Sequence, residues 1–147
     1  MARSDYWMIH RLRVRFNEVD RQGIVHNSVP LIYFGVAMNE YHRQLPYDRV
    51  SADAATGTGI HVVQANVSYK APMRLDEQVD VGARVTRLGR TSITFSFEIY
   101  GADATEVLCA GEQVWVNTDA RTRQAVPWPE DLRQLVRSRE GGRLAEA

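Results

Sequence analysis

Residues 16–30, which read FNEVDRQGIVHNSVP, combine a carboxylate, a glycine and an amide at the junction between two predicted elements. An alternating stretch precedes them and predicts a strand, and an apolar stretch follows and predicts a helix. The first turn of a helix has backbone N–H groups without partners inside the helix, and Asp20 lies seven residues before Asn27 at that helix start. A carbonyl group bound there would be polarised by the N–H groups and attacked from the side of the carboxylate.

The same residues have a second interpretation that needs no chemistry. Aspartate is common in turns because its side chain accepts hydrogen bonds from nearby backbone N–H groups. Ser28 is a usual type of helix-capping residue, and the neighbouring Glu18 is expected to be solvated or to orient the loop by pairing with an arginine. The residues alone therefore allow either role for Asp20: a catalytic carboxylate or a residue that stabilises a turn.

Two predicted elements hold this junction. Residues 10–17 alternate between apolar and polar side chains, which predicts a half-buried strand. The predicted buried face of that strand consists of Leu12, Val14 and Phe16. Residues 28–46 predict a helix that is apolar around most of its circumference, so other structure should surround it. Residues 50–59, which are small or polar and include two glycines, predict a flexible loop that could gate a pocket.

Four further strand patterns follow, at residues 60–70, 78–88, 91–100 and 105–117. In the middle two, alternate apolar residues predict one buried face, made of Val79, Val81, Ala83, Val85, Ile93, Phe95, Phe97 and Ile99. Gly89 predicts a tight hairpin between these two strands, and Gly111 predicts a bulge or bend in the last strand. A short amphipathic helix around Leu132 is predicted to follow. This order predicts one antiparallel sheet wrapped around one helix, with oligomerisation covering the apolar surface that remains.

Length and composition predict a single globular domain. The chain has 147 residues, of which 44% are hydrophobic and 24% charged. We expect the domain to span residues 1–140 and a flexible tail to span residues 141–147. Eighteen basic residues balance eighteen acidic ones, which argues against bulk attraction to nucleic acid or to an anionic membrane.

Cysteine and histidine content restricts the chemistry further. The one cysteine, Cys109, allows no internal disulfide and lies in an apolar strand pattern, so we expect a small buried core residue. No apolar signal segment begins the sequence, and a cytoplasmic location is therefore expected. The four histidines show no ligand spacing, so no metal site is predicted.

Several stretches taken together resemble one known family. They are VRFNEVDRQGIVHNS, NVSYKAPMRLDEQVDV, RLGRTSITF and AGEQVWVNTD. Over about residues 9–135 the chain resembles the hotdog-fold acyl-CoA thioesterases of the 4-hydroxybenzoyl-CoA thioesterase family. The resemblance implies an α+β hotdog fold, in which a five-stranded antiparallel sheet wraps around one long central helix. It also implies hydrolysis of an acyl-CoA to a free acid and coenzyme A, without a cofactor.

The resemblance also implies roles for individual residues. Asp20 would be the nucleophile or the general base, backbone N–H groups near Asn27 would form the oxyanion hole, and Gly23 would let the loop turn. The implied substrate-binding residues are His26, Ser28, Tyr33, Tyr69 and Lys70. The candidates for binding the phosphates of coenzyme A are Arg87, Arg90, Arg121 and Arg123. The family further implies a homodimer that shares its sites, paired into a homotetramer.

The chain departs from the family at the start of the helix. Many members have a histidine at the position of Asn27, and an asparagine–tyrosine pair where this chain has Val29 and Pro30. These departures favour a non-catalytic acyl-CoA-binding protein as an alternative, and a thioesterase for acyl carrier protein is another. A hydratase is a further alternative, but neither His42 nor His61 matches the motif that such an enzyme needs.

Overall fold

One β-sheet with a long helix lying across it makes up most of the structure, a computed structural model that describes residues 1–146. The strands are β1 (Met8–Arg13), β2 (Thr58–Tyr69), β3 (Gln78–Leu88), β4 (Ser92–Gly101), β5 (Val107–Asp119) and β6 (Ala145–Glu146). The helices are α1 (Val29–Gln44), α2 (Arg49–Thr56) and α3 (Glu130–Glu140). The strand order is β1-β3-β4-β5-β2 with antiparallel neighbours, and β6 pairs in parallel with β3. The sheet therefore has six strands, not the predicted five.

The core lies between α1 and the inward faces of β3 and β4. All eight alternating residues predicted for that face are buried, from Val79 at one end to Ile99 at the other. From the helix, Tyr33, Phe34, Ala37 and Tyr41 pack against them. Leu31 and Ile32, on another side of the helix, remain exposed, so the chain itself does not surround the helix completely.

The first strand is shorter than its pattern predicts. It ends at Arg13, and Phe16, which was predicted to face the core, is 82% exposed. The reason is a 3₁₀ turn at Phe16–Glu18, where the Glu18 carboxylate accepts a hydrogen bond from the Arg15 backbone N–H at 2.7 Å. That turn breaks the alternation and directs the chain away from the sheet.

Gly111 does not mark a bulge, as its place in the strand pattern suggested. It pairs in register with residues of both neighbouring strands, and the irregularity of β5 lies at Leu108. A Cβ at position 111 would collide with the Asn66 carbonyl oxygen and lie 2.6 Å from the ring of Phe34. Phe34 in turn stacks on Phe97, with 4.7 Å between the ring centroids. Glycine is needed here because α1 approaches the sheet closely.

The prediction of a flexible loop at residues 50–59 was also wrong. Residues 49–56 form α2, which begins after Asp48 and ends at Gly57 with φ +66°. The Asp48 side chain accepts a hydrogen bond from the Ser51 backbone N–H at 3.2 Å, and this capping stabilises a helix of small residues. Residues 58 and 59 already belong to β2.

The end of the chain contacts the sheet and the central helix. Glu140 is buried, and its Oε2 accepts hydrogen bonds from the Val85 backbone N–H and the Tyr41 hydroxyl, both at 2.8 Å. A 3₁₀ turn at Gly141–Arg143 and strand β6 follow it. Residues 141–146 are thus attached to the edge of β3, while residue 147 lies outside the described part of the chain.

The close approach of α1 to the sheet gives a stability prediction. We expect Gly111→Ala to lower the free energy of unfolding by about 1–3 kcal/mol, because the added methyl group overpacks the helix–sheet contact. Gly35→Ala is the control, since a Cβ at that helical position has open space within 4 Å. It should leave stability unchanged or raise it by up to about 1 kcal/mol. Urea unfolding measures both, and a Gly111→Ala protein as stable as the wild type would contradict the packing argument.

Candidate active site

The segment that carries Asp20 forms a miniature hairpin between β1 and α1. Val19 and Val25 form an isolated antiparallel bridge, and the Asp20 backbone N–H donates to the Ile24 carbonyl oxygen at 2.8 Å. Gly23 has φ +78°, the left-handed conformation that the turn requires. The hairpin is attached to the rest of the structure where the Val25 N–H donates to the Met73 carbonyl oxygen at 2.8 Å.

The two oxygens of the Asp20 carboxylate have different environments. Oδ1 accepts hydrogen bonds from the backbone N–H groups of Gln22, at 2.8 Å, and of Ile24, at 3.4 Å. Oδ2 has no hydrogen-bond or ion-pair partner within residues 1–146. Asp20 therefore stabilises the turn with one oxygen and keeps the other available.

Asp20 lies in the wall of a cavity of about 510 Å³ at the N-terminal end of α1. The hairpin, the helix start, the end of β2 and the turn after β2 form this cavity. Its lining residues are Asp20, Ile24, Val25, Asn27, Pro30, Tyr69, Lys70, Ala71, Pro72, Met73 and Cys109. Four of the site residues that the sequence suggested thus meet here, namely Asp20, Asn27, Tyr69 and Lys70. We call it the Asp20 cavity.

Few backbone donors at the start of α1 remain free. The Val29 N–H donates to the His26 carbonyl oxygen at 2.9 Å, the Ser28 N–H donates to His26 Nδ1 at 3.2 Å, and Pro30 has no N–H. The Asn27 N–H has no hydrogen-bond partner in the described part of the chain. It lies at the positive end of a 16-residue helix, which favours a developing negative charge nearby.

Three of the predicted substrate-binding residues, and Gly23, are not among those that line the Asp20 cavity. His26 and Ser28 are exposed and bond to each other, with 2.8 Å between His26 Nδ1 and Ser28 Oγ. Ser28 stands at the N-cap position, but its side chain makes no capping hydrogen bond. Tyr33 is buried on another side of α1 and donates its hydroxyl proton to Glu18 at 2.9 Å.

Glu18 has a role that the sequence interpretation anticipated only in part. Pairing with an arginine was one of its two expected states, and the Arg15 side chain does donate to its carboxylate at 2.8 Å. The sequence did not indicate that Glu18 would be only 5% exposed, or that it would accept a hydrogen bond from the Tyr33 hydroxyl at 2.9 Å. The spacing of Arg15 and Glu18, three residues apart, is the one sequence signal for these contacts.

The charge state of Glu18 follows from these contacts. Burial by itself would raise the pKa of Glu18, but the hydrogen bonds from Arg15 and Tyr33 outweigh it and hold the pKa below its ordinary value. The ionised carboxylate thus joins α1 to the hairpin that carries Asp20.

The four arginines suggested for coenzyme A lie far from the Asp20 cavity of the same chain. Tyr69, at the cavity, pairs with Cys109, whereas Thr58 at the other end of β2 pairs with Asp119. Arg90, Arg121 and Arg123 stand on two turns at that other end, and Arg87 lies in β3, three strands away from β2, where it pairs with Thr94. A strand of 12 residues spans about 36–40 Å. One chain therefore does not bring these arginines to Asp20.

Cys109 lies in the wall of the Asp20 cavity but has no features of a nucleophile. It is buried, as expected, and burial raises the pKa of its thiol to about 11. Residues 1–146 contain no group of three or more histidine, cysteine, aspartate or glutamate side chains that could hold a metal ion. Of the helices described, none combines the length and the hydropathy that crossing a membrane requires.

Comparisons with known proteins agree with the predicted resemblance. A family model described as the thioesterase-like superfamily matches residues 14–136. A relative from Aquifex aeolicus strain VF5 is 34% identical over 97 residues, which are 65% of this chain and 73% of the relative. The acyl-CoA thioester hydrolase YbgC of Escherichia coli O6:H1 is 27% identical over 94 residues, which are 64% of this chain and 69% of that protein.

A solved structure extends the likeness to the fold. The crystal structure of a thioesterase from Thermus thermophilus, complexed with coenzyme A and zinc, matches with a TM-score of 0.78. It is 27% identical in sequence, and the match covers 93% of this chain and 96% of the other. The predicted hotdog fold is thereby confirmed.

The Glu18 contacts give a prediction with a defined pH dependence. Glu18→Gln should lower the free energy of unfolding by about 2 kcal/mol near neutral pH, because the hydrogen bonds from Arg15 and Tyr33 no longer reach an ionised acceptor. The pKa of Glu18 is lowered by folding, so its contribution is complete above the unfolded-state pKa of about 4.3 and is lost as the pH falls through the folded-state pKa.

Urea unfolding at a series of pH values tests this, with the exposed Glu106→Gln as control. The difference between the wild type and Glu18→Gln should be constant above about pH 5 and narrow below about pH 4. A difference that stays the same at acidic pH would show that the ionised carboxylate is not what stabilises the hairpin.

Proposed function

The chain belongs to the thioesterase-like superfamily and is a thioester hydrolase, and on that premise we propose that it hydrolyses acyl-CoA thioesters in the Asp20 cavity. One observation carries the proposal. Asp20 and Asn27 line the same cavity, and within residues 1–146 the first has a carboxylate oxygen without a partner and the second a backbone N–H without a partner. YbgC, an acyl-CoA thioester hydrolase, and the Thermus thermophilus thioesterase complexed with coenzyme A support this substrate class.

Asp20 can act on the thioester in two ways. As a nucleophile, its Oδ2 forms a bond to the carbonyl carbon, the carbon–sulfur bond breaks, and the thiolate of coenzyme A takes a proton from solvent; water then hydrolyses the anhydride. As a general base, Asp20 takes a proton from the water molecule that attacks the carbonyl carbon, and the proton passes to the leaving sulfur. In both routes the carbonyl oxygen becomes negative and accepts a hydrogen bond from the Asn27 N–H.

Other residues of the Asp20 cavity have supporting roles in this proposal. The Tyr69 hydroxyl donates to the Asn27 carbonyl oxygen, so it joins the end of β2 to the helix start and orients the peptide group that precedes the helix. Lys70 is exposed beside Tyr69 and suits a phosphate or carbonyl oxygen of coenzyme A. The acyl group would contact the apolar part of the wall, which includes Val25, Pro30 and Met73.

A homodimer would complete the site. Strand β2 is 12 residues long and lies at an edge of the sheet, with Val62 and Val63 exposed. A long edge of this kind is a template for pairing with a second copy. Antiparallel pairing of two β2 strands would bring the Thr58 end of one subunit to the Tyr69 end of the other. Arg121 and Arg123 would then serve the Asp20 cavity of the partner, in agreement with a coenzyme A site shared between subunits.

We expect Asp20→Asn to lower kcat for acyl-CoA hydrolysis by at least about 10³-fold, since the amide is neither a base nor a nucleophile. Asp131→Asn is the control, because Asp131 Oδ1 also accepts a hydrogen bond from a backbone N–H, that of Leu132 at 2.8 Å, and Asp131 lines neither cavity. Thiol release from a panel of acyl-CoAs, aromatic through long-chain, measures both. An Asp20→Asn enzyme with wild-type kcat would overturn the assignment of Asp20.

Light scattering at about micromolar concentration should give a mass of at least two chains of 16.7 kDa. Val62→Lys combined with Val63→Lys should yield a monomer with a raised KM for acyl-CoA, since charge on an edge strand opposes pairing. Phe16→Lys, which replaces an exposed apolar residue away from β2, should leave the mass unchanged. A monomeric wild-type protein with full activity would rule out the shared site.

A further inference from the structure

A second cavity, of about 570 Å³, lies at the C-terminal end of α1 and shares no lining residue with the Asp20 cavity. The last turns of α1, the start of α2 and the beginning of β2 enclose it. Its apolar wall includes Met38, Val50 and Ile60, and its polar groups include His42, Tyr47 and Arg49. We call it the Arg49 cavity.

Arg49 is a partly buried cation that pairs with Asp53 but donates no hydrogen bond within residues 1–146. Its side chain is 16% exposed, and its guanidinium stacks on the Trp128 ring at 5.1 Å. Nε lies 3.3 Å from Asp53 Oδ2, without the geometry of a hydrogen bond. None of the Arg49 N–H groups donates a hydrogen bond within residues 1–146. Burial lowers the pKa of Arg49, and the charge of Asp53 opposes this shift only in part.

Of the other polar residues that line the Arg49 cavity, Arg43, which pairs with Glu40, and Asp48 are charged, whereas His42 and Tyr47 are neutral. His42 is 8% exposed, and its Nδ1 lies 3.0 Å from the Met38 carbonyl oxygen, so Nδ1 carries the proton and donates it there. Burial, assisted by the charge of Arg49, lowers the pKa of His42 to about 4, so the imidazole is neutral at neutral pH. Its Nε2 and the Tyr47 hydroxyl have no hydrogen-bond partner within the described residues.

We propose that the Arg49 cavity binds a ligand with an apolar body and a single carboxylate, which pairs with the Arg49 guanidinium. A carboxylate matches the planar set of N–H donors, and an apolar body matches Met38, Val50 and Ile60. A phosphate dianion fits less well, because Asp48 lines the same cavity and Asp53 already lies beside Arg49. The charges of Arg43, Arg49, Asp48 and Asp53 cancel, so a carboxylate leaves one uncompensated negative charge in the cluster and a phosphate dianion leaves two.

Such a carboxylate could come from two sources. It could belong to a free carboxylic acid, which is also the class of product that thioester hydrolysis releases. It could instead be the distal end of an acyl chain whose thioester lies in the Asp20 cavity of the partner subunit. The second source rests on the proposed function and dimer, in which the Ile60 end of one β2 strand lies beside the Tyr69 end of the other.

The binding test uses hexanoate and needs no catalytic activity. The readout is the NMR resonance of the Trp128 indole N–H, because Arg49 stacks on that ring and Trp128 Nε1 has no partner within residues 1–146. Hexanoate should shift this resonance saturably, and Arg49→Gln should bind at least about tenfold more weakly. Arg49→Lys should keep part of the affinity, and Arg139→Gln, which removes the matching arginine from the Trp7 ring, should keep all of it.

Several results would overturn the carboxylate site. One is that hexanamide or inorganic phosphate binds as tightly as hexanoate. Another is that Arg49→Gln binds hexanoate as tightly as the wild type does. A third is that the Trp128 resonance does not shift at hexanoate concentrations up to about 10 mM. Urea unfolding of each variant identifies a loss of binding that comes from a loss of folding. If Arg49→Gln does not fold, hexanoate binding to Arg49→Lys decides whether the carboxylate site exists.

A kinetic test distinguishes the two sources. If the carboxylate is the distal end of the acyl chain, Arg49→Gln should raise KM about tenfold for adipoyl-CoA and leave KM for hexanoyl-CoA unchanged. If it belongs to a free acid, both KM values should stay equal to those of the wild type while hexanoate binding is lost. Failure of the proposed function would appear separately, as unchanged turnover in Asp20→Asn, and would leave the hexanoate result intact.

Discussion

The depth at which α1 lies against the sheet is the constraint on which both cavities depend. Phe34 can stack on Phe97 only because position 111 lacks a side chain, and this contact sets the distance between helix and sheet. The Asp20 cavity opens at one end of the helix and the Arg49 cavity at the other. A helix displaced outward by one methyl group would change the width of both, so a glycine in the middle of β5 influences the shape of two distant cavities.

Rotation of α1 about its own axis is fixed by two buried carboxylates. The Tyr33 hydroxyl donates to Glu18 at 2.9 Å, and the Tyr41 hydroxyl donates to Glu140 at 2.8 Å. The two tyrosines lie eight residues apart on the helix, and the two glutamates come from opposite ends of the chain. A buried, hydrogen-bonded carboxylate tolerates little displacement, since any donor that withdraws leaves a charge without compensation. The helix start therefore has one orientation relative to the hairpin that carries Asp20.

Local patterns in the sequence predicted those helices and strands whose buried faces follow the repeat of the helix or the strand. Alternation in β3 and β4 identified the buried face from Val79 to Ile99, and the length of the apolar stretch identified α1. These patterns did not predict burial that depends on a hydrogen-bond partner far away in the sequence. Charged side chains are usually solvated, so neither the burial of Glu18 nor that of Glu140 could be read from neighbouring residues. The resemblance suggested four of the residues that line the Asp20 cavity, whereas Tyr33, which it also suggested, lies on the side of the helix that faces Glu18.

The two ends of α1 differ in electrostatic potential, and the two proposed sites differ accordingly. The N-terminal end is positive, and in the proposed mechanism the backbone N–H of Asn27 is the donor there to the carbonyl oxygen that becomes negative. The C-terminal end is negative and would repel a carboxylate, and the neutral His42 cannot offset this repulsion. Arg43, in the last turn of α1, already pairs with Glu40, so the cation for the proposed anion site has to come from outside the helix. Arg49, at the first position of α2, is such a cation, and its stacking on Trp128 holds it in place without using its N–H donors.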